Sequence, residues 1–167
     1  MLPPSEQLQL HYYQSIDIWK RFCEHHNELY TYTCDEYEAL LASNLNELDI
    51  ILAKKEEVID KITCLEQMRS ELIDDINTNL SDGNKLESVS GLIQFMEYYE
   101  NGEKQHLLSK SNTLLIEIIE SIKDQNKKNQ LFINKAIISL RDLTESSSEG
   151  KNYKQYDSQG GVSKGVR

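Results

Sequence analysis

The chain has 167 residues, 38% hydrophobic and 28% charged, with a formal net charge of −10. That charge excludes nucleic acid as a natural partner, because phosphate binding needs lysines and arginines to replace counterions, and it opposes docking on an anionic membrane. The acidity is uneven: from Ser146 onward Lys151, Lys154, Lys164 and Arg167 meet only Glu149 and Asp157, so a tail of +2 follows a body of −12.

The N-terminal stretch MLPPSEQLQLHYYQSIDIWKR holds no unbroken apolar run and no small-residue cleavage site, so no secretory leader is expected. Nor does any uncharged apolar run reach the roughly 18 residues of a membrane span. Cys23, Cys34 and Cys64 form no CxxC pair, which fits free thiols in a reducing compartment. A cytoplasmic chain with no membrane insertion is expected.

Proline occurs only at Pro3 and Pro4, so nothing later forces a helix to stop. Ser5 is a candidate N-cap for a first helix over about 6–42. Its apolar stripe runs Trp19, Phe22, His26, Leu29, Thr33, Tyr37 and Leu40, in steps of three and four. LASNLNELD breaks it, and Asn44 with Glu47 three residues on makes a capping box for a second helix over about 45–77. That helix has the clearest stripe: Leu48, Ile51, Leu52, Val58, Ile62, Leu65, Met68, Leu72 and Ile76, with charge on the other face.

Asn79, Asp82 and Gly83 are turn formers. Asn84 with Glu87 repeats the capping-box pattern and opens a short accessory helix over about 85–100, carrying Leu86, Val89, Ile93, Met96 and Tyr99. Asn101 and Gly102 interrupt it. A last helix, about 103–144, carries Leu107, Leu114, Ile118, Ile122, Phe132, Ile133, Ala136, Leu140 and Leu143, and would be about 60 Å long. Such helices need stripe-to-stripe burial to be stable, and short connections make sequential helices antiparallel. The expected fold is all-α: an elongated antiparallel three-helix bundle or coiled coil over 1–145, followed by a flexible, disordered tail over 146–167.

Polar residues interrupt the stripes. Lys55 and Arg69 either lay aliphatic stems on the seam with their charges in water or fix register. Gln125, Asn126 and Asn129 stand between Ile122 and Phe132, where an amide sets either register or a partner.

No residue set points to chemistry. His25 and His26 are adjacent and diverge by about 100° on a helix. Cys23 and His26 share a face, but a zinc site needs further ligands, and none lies at suitable spacing. No ExxH pair, P-loop, GxGxxG or GxSxG occurs, and SDGNKLE lacks EF-hand spacing. Tyr12, Tyr13, Tyr30, Tyr32 and Tyr37 on the first helix read as packing or as a groove for another helix. No enzyme, metal or cofactor is expected.

The second helix contains KEEVIDKITCLEQMR, in which Lys55 precedes Leu65, Glu66 and Arg69 as a lysine, nine residues, then Leu-Glu-x-Met-Arg. The last helix contains IKDQNKKNQLFINKAI, with Asn126-x-x-Asn129, and the tail carries Tyr156-Asp-x-x-Gly160. In that order, from about Tyr37 to Ser163, these resemble the bacterial flagellar export chaperone family FlgN, chaperones of the hook–filament junction proteins. The segment from Ser81 to Gly102 is longer than the simplest members need.

The resemblance implies a chaperone that binds the C-terminal amphipathic segment of hook-associated proteins in helix-in-groove fashion and prevents premature assembly. The implied anchors are Ile118, Ile122, Asn126, Asn129, Phe132, Ile133, Ala136 and Leu140, each of which can equally be intramolecular core. It further implies that Tyr156, with Gly160 and the neighbouring Tyr153, engages the cytoplasmic domain of the flagellar export gate. The alternative is a structural coiled-coil or scaffold protein that assembles through its stripes, a homodimer being among the states these allow.

Overall fold

The structure, a computed structural model, describes residues 4–100 and 106–149. Among them are four α-helices, α1 (Pro4–Leu41), α2 (Leu45–Thr78), α3 (Val89–Glu97) and α4 (Leu107–Glu149), one 3-10 turn at Asp82–Asn84, and no strand. The all-α expectation holds. The reason lies in the punctuation: α1 after its first residue, α2 and α4 contain neither glycine nor proline, so no long helix meets an intrinsic stop. The tail expected from Ser146 begins later, because α4 continues through Ser146–Glu149; its remainder, with Tyr153, Tyr156 and Gly160, and the Asn101–Gly102 break lie outside the described residues.

The chain divides into two compact units, Met1–Asn129 and Gln130–Arg167. In the first, Glu36 meets Lys55, Arg21 meets Met68 and His11 meets Asp75, so α2 runs antiparallel to α1. Trp19 meets Asn112 and Thr33 meets Asn129, so α4 runs parallel to α1. The unit is an up-down-up bundle closed at one end by α3. Its core joins Ile18, Trp19 and Phe22 of α1, Val58, Leu65 and Leu72 of α2, Leu92 and Met96 of α3, and Leu108 and Leu115 of α4. Each such side chain contributes about 1.5–3 kcal/mol when fully buried.

The reversal between α1 and α2 is set locally. Asn44 N–H donates to the Ala39 carbonyl at 3.0 Å and Ser43 N–H to that of Leu40 at 3.2 Å, the paired bonds of a Schellman stop. The Asn44 side chain also accepts from Glu47 N–H at 3.2 Å, capping α2 as expected. Ser43 takes the left-handed position at φ 52° without being glycine.

Several expectations are corrected. α1 begins at Pro4 and not after a Ser5 cap, proline being suited to a first helical position. The Asn84–Glu87 box does not open α3: Asn84 ends the 3-10 turn, and Ser88 caps α3 by accepting from Gly91 N–H at 3.0 Å. The approach to α3 is extended instead, and Asn77 clamps it, donating to the Leu86 carbonyl at 2.9 Å and accepting from Leu86 N–H at 2.7 Å. Leu52, expected in the α2 stripe, is exposed.

The start of the α4 stripe is shifted by one residue. Leu107 and Leu114 are exposed, whereas Leu108, Leu115, Ile122 and Asn129 are buried. Those four recur every seven residues, the period of a coiled-coil seam.

Candidate functional site

Three polar arrangements fix α4 within the first unit. Glu100 receives two donors on one oxygen, the Tyr12 hydroxyl at 3.2 Å and Leu108 N–H at 3.0 Å, so a carboxylate stands at the positive end of α4. Its other oxygen is buried with no hydrogen-bond partner among the described residues. The Tyr12 phenol is pushed up to about 12 by burial, then by the charge of Glu100 and its hydrogen bond. One turn into α4, Trp19 Nε1–H donates to Asn112 Oδ1 at 3.0 Å, while the Cys23 thiol donates to the Ser111 carbonyl at 3.5 Å. At the far end Asn129, 2% exposed, donates to the Thr33 carbonyl at 2.9 Å and accepts from Gln125 at 3.0 Å.

The motif positions on α2 differ in their surroundings. Leu65 is fully buried, and Glu66 is exposed. Lys55 does not place its charge in water: its ammonium pairs with Glu36, and the two side chains are 15% and 13% exposed. The Arg69 guanidinium lies over the Phe22 ring, 5.4 Å from its centroid, so its charge is placed on an aromatic face. Phe22 in turn meets Trp19 edge-to-face and His26 at a tilt. Burial pulls the His26 imidazole below its ordinary value, and its Nδ1 lies 2.8 Å from the Phe22 carbonyl.

The eight anchors expected on α4 divide. Ile122 and Asn129 are buried in the first unit, and Ile118 is half-buried. Asn126 is exposed, between the half-buried Gln125 and the buried Asn129. Beyond Asn129 the seven-residue series continues through Ala136 and Leu143, flanked by Phe132, Ile133 and Leu140. Phe132 and Ile133 are half-buried, and Ala136, Leu140 and Leu143 are exposed. Leu131, Ile137 and Ile138 add three further exposed aliphatic side chains. Within the second unit, none of residues 130–148 is buried. An amphipathic helix with such a stripe can accept another helix.

Among the described residues no group of three or more His, Cys, Asp or Glu could hold a metal ion, and no helix is long and apolar enough to cross a membrane. Sequence reading placed Trp19 in the α1 stripe and Tyr12 among the packing tyrosines, but missed their partners Asn112 and Glu100, which lie 93 and 88 residues away. Only the seven-residue spacing from Leu108 to Asn129 was available as a signal for this seam.

The family model described as FlgN protein matches residues 12–164. That span begins within α1, well before the motif residues on α2. Among curated proteins and among solved structures, nothing matches the chain.

Proposed function

The chain belongs to the FlgN family of flagellar export chaperones, and on that premise we propose that α4 binds the C-terminal amphipathic segment of a hook-associated protein in the cytoplasm and delivers it to the export gate. The supporting observation is the exposed stripe that follows the half-buried Phe132 and Ile133, where Leu140 and Leu143 are 64% and 65% exposed. A helix that buries Leu108, Leu115 and Ile122 and then leaves the same register open has a face available to a client helix. Phe132, Ile133, Ala136 and Leu140 are its anchors. Ile118, Asn126 and the buried Ile122 and Asn129 extend the same line, the last two holding the register from inside. Seating the client segment on this stripe would cover the client's own assembly face and keep it from polymerising.

Delivery is assigned to Tyr156, with Gly160 and Tyr153, as the peptide read by the cytoplasmic domain of the gate. Tyrosine gives large contact area for few rotors. The test is calorimetric titration with the C-terminal peptide of a hook-associated protein from the same host. Leu140→Glu with Leu143→Glu should weaken binding at least about tenfold, and unchanged affinity refutes the assignment. Tyr156→Ala should keep the client and lose the gate domain; equal gate affinity removes the tail from the mechanism.

The seven-residue period of the open stripe equally suits self-assembly into a scaffold or homodimer. Light scattering with and without residues 146–167 separates the readings: a stable oligomer indifferent to the tail favours the scaffold.

A further inference from the structure

The α1–α2 seam has two sides. α4 covers the side that carries Trp19 and Cys23. Away from it lies an open groove of about 650 Å³, lined by Tyr13, Gln14, Asp17 and Ile18 of α1 and Met68, Glu71, Leu72 and Asp75 of α2. Along α2 these recur at i, i+3, i+4 and i+7, so the trough follows one helix face for two turns, about 10 Å. Its floor is Ile18 and Leu72, both buried, beside the half-buried and adaptable Met68. On α1 the exposed Leu10 stands one turn before Tyr13.

The rim has one sign. Asp17, Glu71 and Asp75 line the groove, and none of the eight lining residues is basic. Arg21 stands 3.6 Å from Asp17 at one end, and the His11 imidazole 3.4 Å from Asp75 at the other. Between them Glu71 accepts from the Gln67 side-chain amide at 2.8 Å. The carboxylates of Asp17 and Asp75 are 61% and 73% exposed, so they can meet an arriving cation without being desolvated first.

We propose that the α1–α2 groove is a second docking site, distinct from the α4 stripe, for a partner helix with a two-turn apolar ridge flanked by lysine or arginine. An apolar trough between two helices is the seat of a further helix in a bundle, and the acidic rim selects the sign of its flanks. This site rests on the first unit alone and stands whether or not α4 carries a client.

The probe is a fluorescein-labelled helical peptide of about fifteen residues, with leucines at i, i+3, i+4 and i+7 and lysines at the flanks. Its twin carries glutamates at the flanks. Anisotropy with the full chain should give at least about tenfold tighter binding for the lysine peptide. Asp17→Lys with Glu71→Lys should weaken it about tenfold or more, whereas Asp142→Lys with Glu145→Lys, an equal charge change on exposed α4 positions, should not. Amide shifts of labelled chain should move at Tyr13–Ile18 and Met68–Asp75; shifts confined elsewhere overturn the site. Equal losses in both double variants reduce the effect to net charge and also overturn it. Asp17→Asn with Glu71→Gln gives a milder readout, a partial loss, should the reversal variant lose its helical circular dichroism. Displacement of the probe by a peptide of residues 150–167, or its release as the chain dimerises, would assign the groove to the tail or to a second copy and refute the partner.

Discussion

The Asn129 amide donates to the Thr33 main-chain carbonyl at 2.9 Å across 96 residues of sequence, and both residues are buried. Gln125 completes it by donating to the Asn129 carbonyl oxygen. A buried amide satisfied on both sides ties one register of α4 to α1, since a slip of one residue leaves it unpaired in apolar surroundings. Asn129→Ala should therefore cost about 1–3 kcal/mol in urea unfolding, because Gln125 and its surroundings lose a partner. Asn126→Ala, at an exposed position three residues earlier, should stay within about 0.5 kcal/mol. Equal effects would deny Asn129 its register role.

Lys55 and Glu36 form a mostly buried pair, and such pairs are costly to break from one side. Lys55→Met strands the Glu36 carboxylate and should lower stability by about 3 kcal/mol in thermal or urea unfolding. The double replacement Lys55→Met with Glu36→Leu should recover most of that loss, because the burial penalty disappears with both charges. A double variant as unstable as the single one would place the effect in packing and not in charge.

Ser43 holds φ 52° at the Schellman position that favours glycine. Ser43→Gly should raise stability by up to about 1 kcal/mol, as relief of left-handed strain outweighs the added unfolded-state freedom. Ser43→Val should lower it, since a β-branched side chain tolerates that region worst. Matched melting curves of the three proteins check the order.

How far these features were legible depends on the range of the interaction. The α2 stripe from Ile51 to Ile76 could be read directly because nearly every position facing the core is apolar and the spacing is local. Asn44 was legible for the same reason: its cap lies three residues away. The α4 phase was not, because Leu107–Leu108 and Leu114–Leu115 are doublets that composition cannot rank, and the choice is made by contacts such as Trp19 to Asn112. At α3 two local signals competed, Asn84 with Glu87 and Ser88 with Gly91, and the clamp by Asn77 on Leu86 decided for the second. For the candidate site the apolar line was readable, but which anchors are spent on the core was not, since Ile122 and Phe132 look alike in sequence.

Tyr12 and Glu100 make stability depend on alkaline pH. The folded phenol sits at about 12 against an ordinary 10.0, raised first by burial and then by Glu100. The protonated form is thus favoured by folding. Its contribution is complete below pH about 10 and is lost as pH rises through the folded value. Unfolding midpoints should fall across that window in the parent chain and fall less in Tyr12→Phe. Parallel curves would show that other groups govern the alkaline limb.

Trp19 is the single tryptophan and is fully buried beside Asn112, so its emission reports the first unit alone. Leu115→Glu places a charge in the core of that unit and should abolish its cooperative unfolding transition or cost more than about 4 kcal/mol. Leu143→Glu, in the same seven-residue series but at a position 65% exposed, should leave the Trp19 transition within about 0.5 kcal/mol. The contrast is informative because both leucines occupy one register of one helix and differ only in what covers them. If Leu143→Glu shifted the transition as strongly as Leu115→Glu, the stripe beyond Asn129 would be stabilising the first unit and would not be free for a client. If it leaves the transition unmoved and still weakens the hook-associated peptide, the open half of α4 is kept apolar for a partner and not for the fold.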